Sequence, residues 1–197
     1  MKILIFDNYD SFTHNLKALI RKAVKDADIT IKRNRDLSAL DEEFDVLVIS
    51  PGPMTWKETG LLTDLFEKTV IPEKKPVLGI CLGMQFIAGY FGYEITACKK
   101  PLHGSAVNVM HNSDPLFNNI PESFTAARYN SLGLEFAEDM EDGPLEMIAF
   151  EEGSGSVMAA KHVLFPIAGF QYHPESFLTE YGETLIKNFM EIYAHNK

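Results

Sequence analysis

A stretch of seven residues, GICLGMQ at positions 79–85, constrains the fold more than any other part of the chain. The apolar residues 76–80 are typical of a short buried strand, and residues 82–91 have the apolar and small side chains of a helix. Cys81 is therefore predicted to lie in a sharp strand-to-helix turn, for which Gly79 and Gly83 leave room. There the free N–H groups and the dipole of the helix N-terminus favour a thiolate over a thiol. Cys81 is thus a candidate nucleophile, the alternative being an inert buried cysteine.

A second stretch, GFQYHPE at positions 169–175, contains the partners that a cysteine nucleophile needs. It is predicted to be a strand that stops at Pro174, immediately after His173. The Glu175 carboxylate can reach the second ring nitrogen of His173, select its tautomer and stabilise the imidazolium. Together, Cys81, His173 and Glu175 favour a nucleophile, a base and an orienting carboxylate over three unrelated structural residues.

The first half of the chain alternates predicted strands and helices. Apolar runs predict strands at residues 2–6, 29–33, 45–49 and 77–80. Apolar residues at helical spacing predict helices at residues 12–25, 60–68 and 82–91. This alternation is typical of an α/β fold with an open, mostly parallel central sheet and helices on both faces. The loops after the strands, at residues 8–11, 51–54 and 81, should then meet at one edge of the sheet.

The second half of the chain has a different pattern. Short alternating segments predict antiparallel or mixed strands that extend the sheet, at residues 106–110, 123–128, 147–150 and 157–160. Residues 167–172 are predicted to return the chain to the core. Apolar residues at helical spacing predict a closing helix at residues 185–193.

Composition limits the class of protein. The 197 residues, 46% of them hydrophobic, suffice for one core, so we expect a single domain spanning residues 1–197. The net charge of −10 argues against a nucleic acid or an anionic membrane as partner. The N-terminal apolar run is too short for a signal peptide, and no run has the length of a membrane span, so a cytoplasmic protein with unpaired cysteines is expected. No metal-ligand spacing is present, so neither a metal nor another cofactor is expected.

The two stretches, in this order, resemble the signature pair of the class I (triad) glutamine amidotransferases. The opening FDNYDSFT, at residues 6–13, is similar to that of the glutaminase subunits of two synthases that use chorismate. These are aminodeoxychorismate synthase, in p-aminobenzoate and folate biosynthesis, and anthranilate synthase (component II), in tryptophan biosynthesis. The resemblance extends from residue 2 to the last predicted helix. It implies a flavodoxin-like fold and an enzyme that hydrolyses L-glutamine and supplies the ammonia to a separate chorismate-binding synthase subunit (component I).

The resemblance also implies a role for each matching residue. Cys81 would attack the amide carbon of glutamine, His173 would move protons, and Glu175 would hold His173. The backbone N–H groups of Gly52 and Leu82 would form the oxyanion hole. The glutamine-binding residues would be Gly52, Gln85, Ser131 and Leu132.

The chain departs from the family pattern at three positions. Met54 stands where a second glycine usually follows Pro-Gly-Pro, and it is expected to restrict the loop and to place a long side chain beside the glutamine pocket. Asn130 stands where a histidine is usual, and Ser105 where a basic residue is common. These two differences are expected to affect how a synthase subunit docks.

Several functions are compatible with these residues. The sequence does not decide between the two products: aminodeoxychorismate is the one expected, since some members of the family serve both synthases, and anthranilate is the alternative. A glutaminase subunit for guanylate synthesis would use the same chemistry, but residues 8–13 speak against it. A stand-alone γ-glutamyl hydrolase would use the same triad with water as the only acceptor, and a non-catalytic interaction subunit is suggested only by Met54.

Overall fold

The strands of the computed structural model follow the apolar runs of the sequence. The structure describes residues 1–99, 101–135 and 142–194. These residues form eleven strands: β1 (Lys2–Asp7), β2 (Asp28–Arg33), β3 (Val46–Ile49), β4 (Val77–Ile80), β5 (Thr96–Ala97), β6 (Ser105–His111), β7 (Ser123–Arg128), β8 (Leu132–Gly133), β9 (Leu145–Glu151), β10 (Val157–His162) and β11 (Ile167–Phe170). Every strand predicted from the sequence is present. The strand β8 was not predicted, because two residues are too few to show a periodic pattern.

The same residues contain five α-helices: α1 (Thr13–Ala23), α2 (Leu62–Leu65), α3 (Ile71–Glu73), α4 (Leu82–Tyr90) and α5 (Gly182–Tyr193). Short 3₁₀ turns lie at Leu37–Ala39, Trp56–Glu58 and Pro115–Phe117. A π-helical turn, Phe66–Val70, joins α2 to α3, so the helix predicted at residues 60–68 continues to Glu73. Pro72 accounts for this turn, because proline cannot donate the helical hydrogen bond and its ring crowds the preceding turn. None of the helices in the described ranges is long and apolar enough to cross a membrane.

The main sheet has nine strands, in the order β2-β1-β3-β4-β11-β10-β9-β6-β7, and β5 pairs with β8 beside it. The strands from β2 to β11 in this order are parallel to one another. The strands from β11 to β7 are antiparallel to their neighbours. The parallel part has the flavodoxin-like strand order. The predicted α/β fold, with a mostly parallel centre and an antiparallel extension, is confirmed.

Successive side chains of the parallel strands point to opposite faces and build two cores. In β1, Ile3 and Ile5 pack in the core beneath α1 and α5, whereas Leu4 and Phe6 pack in the core beneath α2 and α4. All four side chains are at most 1% exposed. Because the strands are buried on both faces, their sequences are continuously apolar rather than alternating.

The segment after β11 returns to the far edge of the sheet and pairs with β7. The N–H groups of His173 and Glu180 donate to the carbonyls of Ala127, at 3.1 Å, and Thr125, at 2.9 Å. These hydrogen bonds give partners to backbone carbonyls at the outer edge of β7. Strands β11, β10, β9, β6 and β7 and the segment of residues 173–180 thereby form a closed ring. The ring places His173 beside the end of β4.

Candidate active site

Cys81 lies in the turn between β4 and α4. Its φ of 52° and ψ of −101° fall in a region that residues other than glycine rarely occupy. Its N–H donates to the Phe170 carbonyl at 2.7 Å. A Cβ on Gly79 would lie 2.5 Å from the carbonyl carbon of Gly83, and a Cβ on Gly83 would lie 2.6 Å from the Ile49 carbonyl oxygen. The predicted turn is confirmed, and the two glycines allow the close approach of α4 to the sheet.

His173 follows β11, and its two ring nitrogens have different surroundings. Nδ1 lies 2.7 Å from Oε1 of Glu175, and because a carboxylate only accepts, Nδ1 carries the proton and donates it. Nε2 is buried and makes no well-aligned hydrogen bond to any residue that the structure describes. Burial works against the charged ring, but the interactions with Cys81 and Glu175 outweigh it and raise the pKa of His173 to about 10. The imidazolium is therefore stabilised next to the Cys81 thiol.

Cys81 and His173 line the same cavity, which has a volume of about 320 Å³. The loops at the carboxyl ends of β1, β3, β4 and β11 supply its walls, as predicted for the edge of a parallel sheet. Phe12 and Tyr129, which also line the cavity, pack edge-on against the His173 ring, with centroids 6.0 and 4.8 Å away. Two aromatic side chains of the cavity wall therefore pack against the imidazole.

Gly52 and Leu82, the two predicted oxyanion donors, lie side by side. A Cβ on Gly52 would lie 2.8 Å from Cδ2 of Leu82 and 2.7 Å from Cβ of Asn8, so only glycine fits. Asn8 is fully buried, and its N–H donates to Oγ of Ser50 at 2.9 Å, which anchors the loop after β3. Leu82 is the first residue of α4, so its N–H has no acceptor within the helix. In the described part of the chain, the Gly52 N–H has no acceptor either.

Gln85 is placed away from the cavity at Cys81. Its side chain does not line that cavity, and the residue is only 4% exposed. Its Nε2 donates to the Leu132 carbonyl at 2.8 Å and to Oε1 of Gln171 at 3.1 Å. Gln85 is therefore a buried residue of α4 and not a solvated one on its surface.

Ser131 and Leu132 also lie outside the cavity at Cys81. Ser131 is exposed, and its carbonyl accepts from the Cys98 N–H at 2.9 Å. Leu132 lines a separate cavity of about 450 Å³ together with Trp56. The structure thus brings Gln85 and Leu132 together, but it separates them from the cavity that contains Gly52.

Gln171 is a residue of the site to which the sequence analysis gave no role. It is 1% exposed, and its Nε2 donates to Sγ of Cys81 at 3.4 Å. Its position two residues before His173 is the signal that could have identified it, because alternate residues of an extended segment point to the same side.

Asp10 adds a second carboxylate to the site and was likewise not predicted as a site residue. It lines the cavity, and its Oδ2 accepts from the Phe12 N–H at 2.8 Å. Burial is the main cause that raises the pKa of Asp10, and the charge of Glu175 also raises it, whereas the Phe12 N–H and His173 lower it. In the described ranges, no three His, Cys, Asp or Glu side chains are grouped as metal ligands.

The three departures from the family pattern have different structural consequences. Met54 is not in the left-handed region of φ, so its backbone imposes no strain where a glycine was expected. Asn130 is 5% exposed and accepts from Nε of Arg128 at 2.9 Å, so it cannot contact a docking partner directly. Ser105 is half-buried at the start of β6.

The chain matches known proteins over nearly all of its length. The sequence model of the family described as glutamine amidotransferase class-I matches residues 4–192. Anthranilate synthase component 2 of Methanothermobacter marburgensis is 35% identical over 96% of this chain and 98% of its own length. Aminodeoxychorismate/anthranilate synthase component 2 of Bacillus subtilis is 33% identical over 97% of this chain and 96% of its own length.

Two further similar proteins differ from the two component 2 proteins, one in its length and the other in the synthase that its name gives. The bifunctional protein TrpGD of Thermotoga maritima is 37% identical over 97% of this chain, which spans 32% of that longer protein. The crystal structure of a Thermoplasma acidophilum protein assigned to GMP synthase has a TM-score of 0.82 at 28% identity, covering 98% of this chain and 94% of that chain.

Proposed function

Because the chain belongs to the class-I glutamine amidotransferase family, we propose that it hydrolyses L-glutamine to glutamate and ammonia through a thioester on Cys81. The observation that carries this proposal is the shared cavity, into which both the Cys81 thiol and the His173 ring open. Oε1 of Glu175 accepts a hydrogen bond from Nδ1, on the other side of that ring, at 2.7 Å. This arrangement supports the assignment of Cys81 as nucleophile, His173 as base and Glu175 as orienting carboxylate.

In the proposed first half-reaction, the Cys81 thiolate attacks the side-chain amide carbon of glutamine. The His173 imidazolium gives its Nε2 proton to the leaving nitrogen, the C–N bond breaks, and ammonia departs from a γ-glutamyl thioester. Neutral His173 then takes a proton from a water molecule as the water attacks the thioester. The C–S bond breaks, which releases glutamate and restores the thiolate and imidazolium.

The backbone N–H groups of Gly52 and Leu82 are assigned to the negative oxygen of each tetrahedral intermediate. Two observations support this assignment: the two residues lie side by side, and neither N–H has an acceptor among the described residues. Loss of one such donor typically costs about 3 kcal/mol of barrier.

Gln85, Ser131 and Leu132, together with Gly52, are assigned to binding the rest of the glutamine molecule, on the strength of their match to the family pattern. Nε2 of Gln85 is already used by Leu132 and Gln171. Its Oε1 makes no hydrogen bond to the described residues and can accept from an ammonium group. Glutamine would therefore bind without breaking the contacts of Nε2.

We assign the ammonia to a chorismate-binding synthase subunit. The support is the opening at residues 6–13 and the names of relatives such as those from M. marburgensis and B. subtilis. The name of the M. marburgensis protein favours anthranilate as the product, and the name of the B. subtilis protein gives both anthranilate and aminodeoxychorismate. Reconstitution with a synthase subunit of each kind, followed by identification of the aminated product, distinguishes the two. A glutaminase that neither subunit stimulates would instead be a stand-alone γ-glutamyl hydrolase.

The proposed division of labour predicts the effect of Cys81→Ala. In a reconstituted complex, this variant should abolish synthesis from glutamine and leave synthesis from an added ammonium salt unchanged, because Cys81 serves only to make ammonia. The matched control is Cys98→Ser, which should keep both activities. Cys98 is also buried, which raises the pKa of its thiol, and it does not line the cavity at Cys81.

Two outcomes would contradict the proposal. Equal loss of activity with both nitrogen sources would show that Cys81 supports the synthase chemistry or the fold rather than ammonia release. A loss in Cys98→Ser as large as that in Cys81→Ala would show that the nucleophile is the other cysteine.

A further inference from the structure

A run of buried amide groups connects the Cys81 sulfur to the backbone of β8. Nε2 of Gln171 lies 3.4 Å from Sγ of Cys81, and Oε1 of Gln171 lies 3.1 Å from Nε2 of Gln85. The same Nε2 of Gln85 lies 2.8 Å from the Leu132 carbonyl oxygen. Gln171 is 1% exposed and Gln85 is 4% exposed, so water does not compete for these hydrogen bonds.

The chemistry of the last acceptor sets the orientation of both amides. The Leu132 carbonyl can only accept, so Gln85 must turn its NH₂ group toward it. The second N–H of that group then donates to Oε1 of Gln171. With its oxygen occupied in this way, Gln171 presents its own NH₂ group to the Cys81 sulfur.

We propose that Gln171 is a positioning residue that donates an N–H to the Cys81 thiolate, and that Gln85 holds it in the donating orientation. This inference rests on the proposed role of Cys81 as the nucleophile. Cys81 is only 6% exposed, so its sulfur has little access to water in the described structure. A buried anion needs hydrogen-bond donors, and a donor to the charged form stabilises that form. Gln171 adds a neutral hydrogen-bond donor to the positive charge that the His173 ring carries in the same cavity.

The other groups around the sulfur are unchanged by a substitution at Gln171. The titratable residues that face Cys81 across the cavity are His173, Asp10, His103, Tyr9 and Tyr129, and Glu175 lies behind His173. Their charges act equally on the wild type and on a Gln171 variant. A difference in thiolate formation between the two proteins therefore reports the lost donor.

The test is the rate of Cys81 alkylation by iodoacetamide as a function of pH, with the modified residue identified by peptide mass. Gln171→Met keeps the length of the side chain and removes the donor, so the pH midpoint of alkylation should rise by about one unit. Gln85→Met should raise it by less, because Gln171 keeps its amide and loses only its orientation. The matched control is Asn188→Leu, which removes a buried amide that donates to Leu116 and Asn118 from α5 and should leave the midpoint unchanged.

A folded Gln171→Met protein with the wild-type midpoint would overturn the inference, and so would an equal rise in Asn188→Leu. Thermal melting of each variant establishes that it is folded. If Gln171→Met is unfolded, Gln171→Asn provides the same comparison with a shorter amide that cannot reach the sulfur, and an unchanged midpoint there has the same meaning. Failure of a glutamine-analogue electrophile to label Cys81 in the wild type would instead contradict the proposed function.

Discussion

The charge of His173 depends on groups on both sides of its ring. Burial lowers the pKa of His173, whereas Cys81 and Glu175 raise it, and the result is a value of about 10. A histidine with a raised pKa is an imidazolium at neutral pH and loses its proton only as the pH approaches that value. The proposed departure of ammonia needs this proton, so thioester formation should decline at high pH.

Glu175→Gln should move that decline to lower pH, because the carboxylate is one of the two groups that raise the pKa of His173. The loss of glutaminase rate near neutral pH should be smaller than in His173→Ala, which removes proton transfer and should cost about 10²- to 10⁴-fold. Thioester trapping and rate measurements across pH compare the two variants. A larger loss in Glu175→Gln than in His173→Ala would overturn the assignment of base and orienting residue.

At the level of elements, the site depends most on how α4 packs against the sheet. Gly83 of α4 lies so close to Ile49 of β3 that a Cβ would be 2.9 Å from Cβ of Ile49 and 2.6 Å from its carbonyl oxygen. The contact with Ile49 therefore sets the position of the first turn of α4. That turn carries Cys81 at its N-terminus and the N–H of Leu82.

Gly83→Ala should displace this turn, since the added methyl group meets the backbone of β3 rather than a flexible side chain. We expect a loss of about 1–3 kcal/mol in the free energy of unfolding, as in other overpacked cores, and a lower glutaminase rate. Denaturant unfolding and a glutaminase assay measure the two effects.

The matched control is Gly92→Ala, where φ is 92° and a Cβ would meet nothing within 4 Å. Backbone strain should lower its stability by a similar amount, about 1–3 kcal/mol, without changing the activity of the folded protein. If Gly83→Ala destabilises the protein but keeps the wild-type rate, the position of α4 does not limit catalysis.

At the scale of the whole molecule, nucleophile and base reach the site through different parts of the sheet. Cys81 directly follows β4, a central parallel strand, whereas the backbone of His173 is also hydrogen-bonded to β7, the last strand in the sheet order. Thr179 completes this connection, because its Oγ1 donates to the His173 carbonyl at 2.6 Å and accepts from the Ala127 N–H at 2.9 Å. The closed ring of antiparallel strands therefore helps to hold His173 beside Cys81.

Thr179→Val should loosen this connection while keeping the shape of the side chain. It leaves the Ala127 N–H without a partner and removes one of the two hydrogen bonds to the His173 carbonyl, which still accepts from the Ser176 N–H. We therefore expect a loss of about 1–3 kcal/mol in stability and a lower kcat. Thr30→Val in β2 is the control, since the Thr30 hydroxyl makes no hydrogen bond to the residues that the structure describes, and it should change stability by less than about 0.5 kcal/mol. An unchanged kcat in Thr179→Val would show that β11 alone positions the base.

Local patterns were enough to predict the parallel strands, the turn at Cys81 and the pairing of His173 with Glu175, because each depends on residues that are neighbours in the chain. The π-helical turn before Pro72 and the closure of the ring by residues 173–180 were not predicted. The alternation of Gln171 with His173 indicates the side that Gln171 faces, but its hydrogen-bond partner Cys81 lies 90 positions away in the chain. The hydrogen bond between Gln85 and Leu132 likewise joins residues 47 positions apart. Such contacts are set by how helices and strands pack against each other, and no periodicity within a segment contains that information.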